Sequence, residues 1–287
     1  MIFRLRQIVA VVLAALASTG AIAQPKRIVS LNLCADQYLI ALADPGQIAA
    51  LTQYSRDPAM SYYAERARSL PISTRSAEEV LMLRPDLIVG VPYRQREALA
   101  PLKARGVPIV DLPKKDGIAG IDETIALIAE AIGHPERGRA LTASIRARLA
   151  RLGPPPGRGR VAAYYQRRGY LTGAGTLVDE MMRRVGLVNL AAKLDLRTLS
   201  RLSIERMAMA RPDFLIVESA STRTIDRGTE MLNHPLLNRA VPPDRRLVLP
   251  QALTVCGGPA YPEAVELLAA QVRAVDRVTR SGGKKSR

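Results

Sequence analysis

Ser76-Ala-Glu-Glu-Val-Leu-Met-Leu-Arg-Pro-Asp-Leu-Ile-Val89 returns later in the chain as Ser203-Ile-Glu-Arg-Met-Ala-Met-Ala-Arg-Pro-Asp-Phe-Leu-Ile-Val217. Each copy places a Glu (Glu78, Glu205) seven residues before the Pro of an Arg-Pro-Asp, and an apolar, strand-like run follows. The two prolines are 127 residues apart (212 minus 85), too widely spaced for a solenoid of short repeats. Two distant copies of one helix–turn–strand unit imply two similar lobes, and two lobes enclose a cleft. In the first copy Ser76 reads as a helix N-cap with Glu79 at the capping-box position, and Pro85 stops the helix before the strand.

Working outward, strands expected at 26–31, 47–52, 86–90 and 107–112 alternate with helices at 35–43, 76–84 and 94–105. Such alternation argues for a parallel sheet with helices on its faces. The segment 135–152 differs. Leu141, Ile145, Leu149 and Leu152 keep helical spacing with Arg on the other faces, and Gly153-Pro-Pro-Pro-Gly157 ends the run. At 1.5 Å per residue this is a rod of about 27 Å. The alternation then restarts at 160–165, 176–185, 203–211, 214–218 and 245–250, with a last helix over 262–280. The expected fold is α/β: two Rossmann-like lobes with central parallel sheets, joined by a single long α-helix, with a ligand cleft between them. The expected divisions are a signal peptide (1–23), an N-terminal lobe (24–132), the interdomain helix (133–153), a C-terminal lobe (154–280) and a disordered tail (281–287). One rigid rod packed on both lobes permits only small changes of cleft angle.

The 287 residues suit one large domain or two of ordinary size. Arg4 and Arg6, an apolar run over 8–17 and the small-x-small site Ala21-Ile-Ala23 predict a leader cleaved before Gln24, with no Cys at the junction to carry lipid. The run is short for a membrane span, so an exported, periplasmic protein is expected. The formal charge is +16, yet 35 of the 42 basic residues are Arg spread along the chain and no nucleic-acid motif accompanies them. His134 and His234 are the only histidines, too few for a zinc or manganese cluster, and both read as surface or capping residues. No Gly-x-Ser-x-Gly elbow is present and no His is positioned as a base, so an enzyme is not expected. Gly173-Ala-Gly175 lacks the rest of a nucleotide fingerprint.

The segments Arg27-Ile-Val-Ser-Leu-Asn-Leu-Cys-Ala-Asp36, Glu78…Arg84-Pro-Asp-Leu-Ile-Val89, the long helix before Gly153, Leu171-Thr-Gly-Ala-Gly175 and Glu205…Arg211-Pro-Asp213 carry a resemblance. The chain resembles, over about residues 25 to 280, the helical-backbone class of periplasmic substrate-binding proteins of ABC importers. That class includes the vitamin B12, ferric-siderophore and haem binding proteins. The resemblance implies a monomer without a resident cofactor or metal that hands a metal chelate or corrinoid to a membrane permease. A ligand sensor of the same fold, signalling to a membrane receptor, is the alternative. It further implies that Glu78 and Glu205 meet Arg residues of the transmembrane subunits. Each could instead simply complement its helix N-terminus, but recurrence at one place in both lobes is what electrostatic registration requires.

In such a fold the ligand lies at the loops where strands of both lobes end. The candidate ligand-binding residues there are Cys34, Tyr54, Arg56, Arg75, Tyr93, Arg94, Tyr165, Arg167, Arg168, Tyr170, Cys256 and Tyr261. Tyr beside Arg suits a large, partly flat, anionic ligand. The family's vitamin B12 binder relies on Trp at the cleft; this chain has none, and Val91, Leu199 and Cys256 stand where aromatics are expected. Those departures weaken the case for cobalamin, and the Arg-rich cleft tilts the reading toward an anionic iron chelate. Cys34 and Cys256, one per lobe, admit three readings: a disulfide between lobes, two free thiols, or a thiolate ligand to a metal centre. The first requires alpha-carbons within about 7 Å.

Overall fold

The computed structural model describes residues 24–90, 97, 99–113, 117–196, 199–218, 226 and 228–285. The first lobe is built on β1 (Ile28–Ser30), β2 (Ile48–Thr52), β3 (Ile72–Ser73), β4 (Leu87–Val89) and β5 (Ile109–Val110), ordered β3-β2-β1-β4-β5. All four pairings are parallel. The second lobe follows with β6 (Val161–Tyr164), β7 (Tyr170–Leu171), β8 (Val188–Asn189), β9 (Ser200–Arg201), β10 (Phe214–Glu218) and β11 (Arg246–Leu249). Its sheet is parallel in the order β11-β10-β6-β8, while β7 and β9 form a small antiparallel pair. The central strands β1, β4 and β10 are buried throughout, which is why they read as continuous apolar runs rather than alternating ones.

The repeat folds alike in both lobes. Ser76 Oγ accepts from Glu79 N (3.2 Å) and Ser203 Oγ from Arg206 N (3.3 Å), capping helices Ala77–Met82 and Ile204–Ala210. Arg84 (φ 45°) and Arg211 (φ 42°) both turn left-handed, since the following Pro disfavours right-handed helix at the residue before it. The Asp then ties two strands together. Asp86 accepts from Lys26 N (2.7 Å) and Arg27 N (2.9 Å) ahead of β1, and Asp213 accepts from Val161 N (2.7 Å) at the start of β6. One detail departs from the capping box: Glu79 reaches past Ser76 to Thr74 N (2.7 Å) and Thr74 Oγ1 (2.5 Å).

Helix Pro135–Ala150 is the expected joining rod, and a second helix packs against it. The rod runs from the first lobe, where Arg137 donates to the Leu42 carbonyl (2.9 Å), to the second, where Arg148 pairs with Glu263 (2.6 Å) and Glu266 (2.5 Å). Against it packs helix Gly117–Ala131, antiparallel because only three residues join them. A Cβ on Gly138 would lie 2.6 Å from Ala129 Cβ, so the two helices approach closely there. The added helix also touches both lobes. Ile118 N donates to Glu180 Oε2 (2.8 Å) at its start, and Gln47 Nε2 donates to the Ile132 carbonyl (3.0 Å) at its end. Its physical signature is Ile118, Ile121, Ile125, Ile128 and Ile132 at three- and four-residue spacing, a stripe that must be buried. His134 stands at the N-cap position of the second hairpin helix, and His234 Nδ1 accepts from Leu236 N (3.2 Å).

The largest apolar cluster crosses between the lobes through this hairpin, joining Leu39, Ile125, Ile145 and Leu149 to Met181 and Leu268. The final helix is Tyr261–Lys285, so the 281–287 tail is helical as far as Lys285: extending an existing helix costs far less than nucleating one. Among the described residues, no helix is long and apolar enough to cross a membrane.

Candidate functional site

Strand order reverses beside β1 in one sheet and beside β6 in the other. The crevice outside the strand ends at such switch points is where α/β sheets hold ligands. The first-lobe wall begins with Asn32, whose Oδ1 accepts from Ala35 N (2.9 Å) and caps helix Leu33–Leu42. This fixes Cys34 in the first turn of that helix. Cys256 approaches from the loop after β11, and the two form a disulfide with alpha-carbons 5.3 Å apart across 222 residues of sequence. One turn further along the same helix, the Tyr38 hydroxyl donates to the Gly257 carbonyl (2.6 Å). The floor of the cleft is therefore tied twice.

Two cavities flank this tie and share Val255 and Gly257. One, of about 370 Å³, is lined by Cys34, Tyr38, Thr124 and Cys256; the other, of about 320 Å³, by Tyr164, Gln166, Thr176, Glu218, Gln251 and Thr254. A larger groove of about 530 Å³ lies at the opposite end of the second lobe, between Pro154–Pro156 and Arg273. It is remote from the strand ends and contains none of the candidate residues. In the smaller cavity, Glu218 Oε1 accepts from Tyr164 Oη (3.0 Å) and Gln166 Nε2 (2.9 Å), and Gln166 Oε1 accepts from Thr172 Oγ1 (3.3 Å). Burial, reinforced by the Glu218 charge, raises the Tyr164 phenol well above its ordinary value, so it remains a donor.

Behind Cys34 lies Asp36, fully buried, accepting from Thr52 N (3.2 Å) and Thr52 Oγ1 (2.5 Å). Burial pushes its carboxyl up to about 6, although hydrogen bonds from Ser30 and Thr52 and the Arg75 charge pull the other way. A raised carboxyl stabilises the fold fully below the unfolded value of 3.8, and that contribution is lost as pH rises through about 6. Asp36→Asn should therefore unfold like the parent near pH 4 and be more stable by about 2 kcal/mol at pH 7.5. Urea melts at the two pH values check this; equal stability at pH 7.5 would refute the assignment.

The structure sorts the sequence candidates. Cys34 and Cys256 meet at the cleft floor. Arg75 (φ 70°) stacks its guanidinium 5.0 Å from the ring centroid of Tyr54, itself 38% exposed, on the first lobe's strand-end side. Arg56 turns inward to the carbonyls of Ala67 (3.3 Å) and Leu70 (2.6 Å) and fastens its own lobe. Tyr165 belongs to the core: it is fully buried and donates to the Leu202 carbonyl (2.7 Å). Successive strand residues face opposite sides, so Tyr164 takes the cavity and Tyr165 the far face. Tyr261 is also buried, donating to Glu180 Oε1 (3.0 Å) and accepting from Arg184 Nε (3.1 Å). Arg167 pairs with Asp226 (2.7 Å), Arg168 is exposed at φ 58°, and Tyr170 stacks 5.9 Å from Arg201. None of these three lines either cavity. Tyr93 and Arg94 lie outside the described residues.

The cavity residues that sequence reasoning passed over are Tyr38, Tyr164 and Glu218. A signal existed for the last: an acid closes the otherwise apolar strand Phe-Leu-Ile-Val-Glu218. Glu78 and Glu205 are exposed in the first turns of their helices. The backbone amide at the helix start and Ser203 hold the Glu205 carboxyl below its ordinary value. One turn after each acid stands an exposed Met: Met82 (75%) and Met209 (82%).

Residues 28–251 match the periplasmic binding protein family, and the chain belongs to it. Over 220 residues it is 27% identical to a cobalamin-binding protein of Halobacterium salinarum. That alignment covers 74% of this chain and 58% of the relative, so the chain spans under two thirds of the curated relatives it matches. The periplasmic heme-binding protein RhuT from Roseiflexus sp. RS-1 superposes with a TM-score of 0.66 at 25% identity, covering 87% of this chain and 98% of that one. The periplasmic vitamin B12 binding protein BtuF of Vibrio cholerae gives 0.66 at 20% identity, covering 88% and 98%.

Proposed function

We propose that this protein captures a metal chelate of the corrinoid, haem or ferric-siderophore type between its lobes and delivers it to the membrane subunits of an ABC importer. The supporting observation is the pair of adjacent cavities at the switch points of the two sheets, sharing Val255 and Gly257, in a chain of the periplasmic binding protein family. The leader is removed before Gln24 and the mature protein works outside the cytoplasmic membrane. Glu78 and Glu205 present one acid per lobe to the permease, each beside an exposed Met that offers apolar area. Tyr54, Arg75, Arg167, Arg168 and Tyr170 are the rim residues through which lobe closure reaches the guest.

Calorimetry of the mature protein against cobalamin, haem and a panel of ferric siderophores tests this. At least one should bind with a Kd below about 1 μM, near −8 kcal/mol. Nothing tighter than millimolar across the panel would overturn the reading.

A further inference from the structure

Among the described residues, Glu218 is the one acid on the wall of the second-lobe cavity, and it is 7% exposed. It closes β10 beside the switch point, so its side chain is held by the sheet rather than by a loop. Tyr164 and Gln166 both donate to Oε1, and Thr172 in turn orients Gln166. Among the described residues Oε2 accepts no hydrogen bond, and no Arg or Lys pairs with Glu218, in a chain of net charge +16. Burying a carboxylate without a counter-charge is expensive unless hydrogen bonds compensate it, and here the hydrogen bonds from described residues reach one of the two oxygens. A group that completes it must bring N–H or O–H donors. A ligand carboxylate placed there would meet a like charge in a site of low dielectric.

We infer that Glu218 is a specificity-determining residue of the cleft, accepting hydrogen bonds from N–H donors on the rim of the bound chelate. The subsite therefore selects carboxamide- or ammonium-bearing chelates against carboxylate-rimmed ones. This rests on the metal-chelate reading above and names the ligand chemistry of that site. It opposes the preference for an anionic ligand that Tyr and Arg spacing alone suggests. The polar lining fits: Gln251 and Thr254 share the cavity with Glu218 and can serve a rim amide's carbonyl.

The test is calorimetry of the mature protein with four probes: cyanocobalamin (carboxamide rim), cobyrinic acid (the same ring with carboxylates), hemin, and ferrioxamine B (a ferric chelate with one ammonium). The parent should bind cyanocobalamin or ferrioxamine B at least tenfold tighter than both carboxylate-rimmed probes, and the tighter of the two identifies the donor. Glu218→Gln should weaken that probe about tenfold, since a charge-assisted bond becomes a neutral one, and should narrow the donor-to-carboxylate ratio by a similar factor. Glu65→Gln removes an exposed acid that lines neither cavity and should keep the ratio. A ratio unchanged in Glu218→Gln, an equal loss in both variants, or a parent that prefers hemin or cobyrinic acid overturns the assignment while leaving chelate binding intact. No binding of any probe by the parent removes the chelate reading and this inference with it.

Discussion

A protein lacking the Cys34–Cys256 bridge, through Ser substitution at both positions or through reduction, is expected to melt about 10 °C below the oxidised form. The bridge spans 222 residues of sequence. In the chain-entropy account a crosslink stabilises by restricting the unfolded ensemble, and the effect grows with loop length, typically 2–4 kcal/mol and up to about 5. For a chain of this size each kcal/mol is about 2–4 °C. The hairpin and the shared apolar core also join the lobes, which keeps the reduced protein folded rather than splitting it. The bridge and the Tyr38–Gly257 bond sit at the cleft floor, so reduction should also widen lobe excursions and weaken ligand binding. Calorimetric melts with and without reductant, paired with a thiol titration showing no free thiol in the untreated protein, measure both sides. A shift under 2 °C, or two reactive thiols before reduction, would show that the bridge does not govern stability.

The elements were legible wherever local chemistry was strong. Ser76 announced an N-cap, Pro85 announced a stop, and the buried strand Phe214–Glu218 was bounded to the residue. The partner helix Gly117–Ala131 carries its signal in Ile spacing alone, with no proline at its start, whereas the helix that follows is marked by Pro135 and a run of Arg. The site was harder for a geometric reason. Which of Tyr164 and Tyr165 faces the cavity depends on a strand parity that a one-residue shift reverses. Loop membership could not separate Arg56, which fastens its own lobe, from Arg75, which stacks on Tyr54. Glu218 was invisible to a search for Tyr beside Arg, since its partners come from β6 and the segment just after it, more than 50 residues upstream. Cysteine spacing could pose the disulfide but not decide it; only the 5.3 Å separation of the alpha-carbons does that.

Reversing both repeat acids, Glu78→Lys with Glu205→Lys, is expected to cut uptake of the chelate about a hundredfold while leaving its affinity for the isolated protein within twofold. Both side chains are exposed and neither belongs to the cleft cavities, so ligand contacts are untouched. If each acid only complemented its helix N-terminus, its loss would cost a few tenths of a kcal/mol of stability and uptake would hardly change. If each meets a cation on the permease, breaking a desolvated charge pair costs about 2–5 kcal/mol per site, and two such losses leave little productive docking. Single reversals should be intermediate and of similar size, because the repeat presents each acid on the same helical turn with an exposed Met one turn away. Glu65→Lys is the control for each single reversal: Glu65 is an exposed acid in an Arg68 pair without a counterpart in the repeat, and its reversal changes net charge by the same two units as either one. Uptake assays in cells whose own copy is deleted, beside calorimetry of the purified variants, separate delivery from capture. Unchanged uptake in the double variant, or equal impairment by Glu65→Lys, would reduce the recurrence of Glu78 and Glu205 to helix capping.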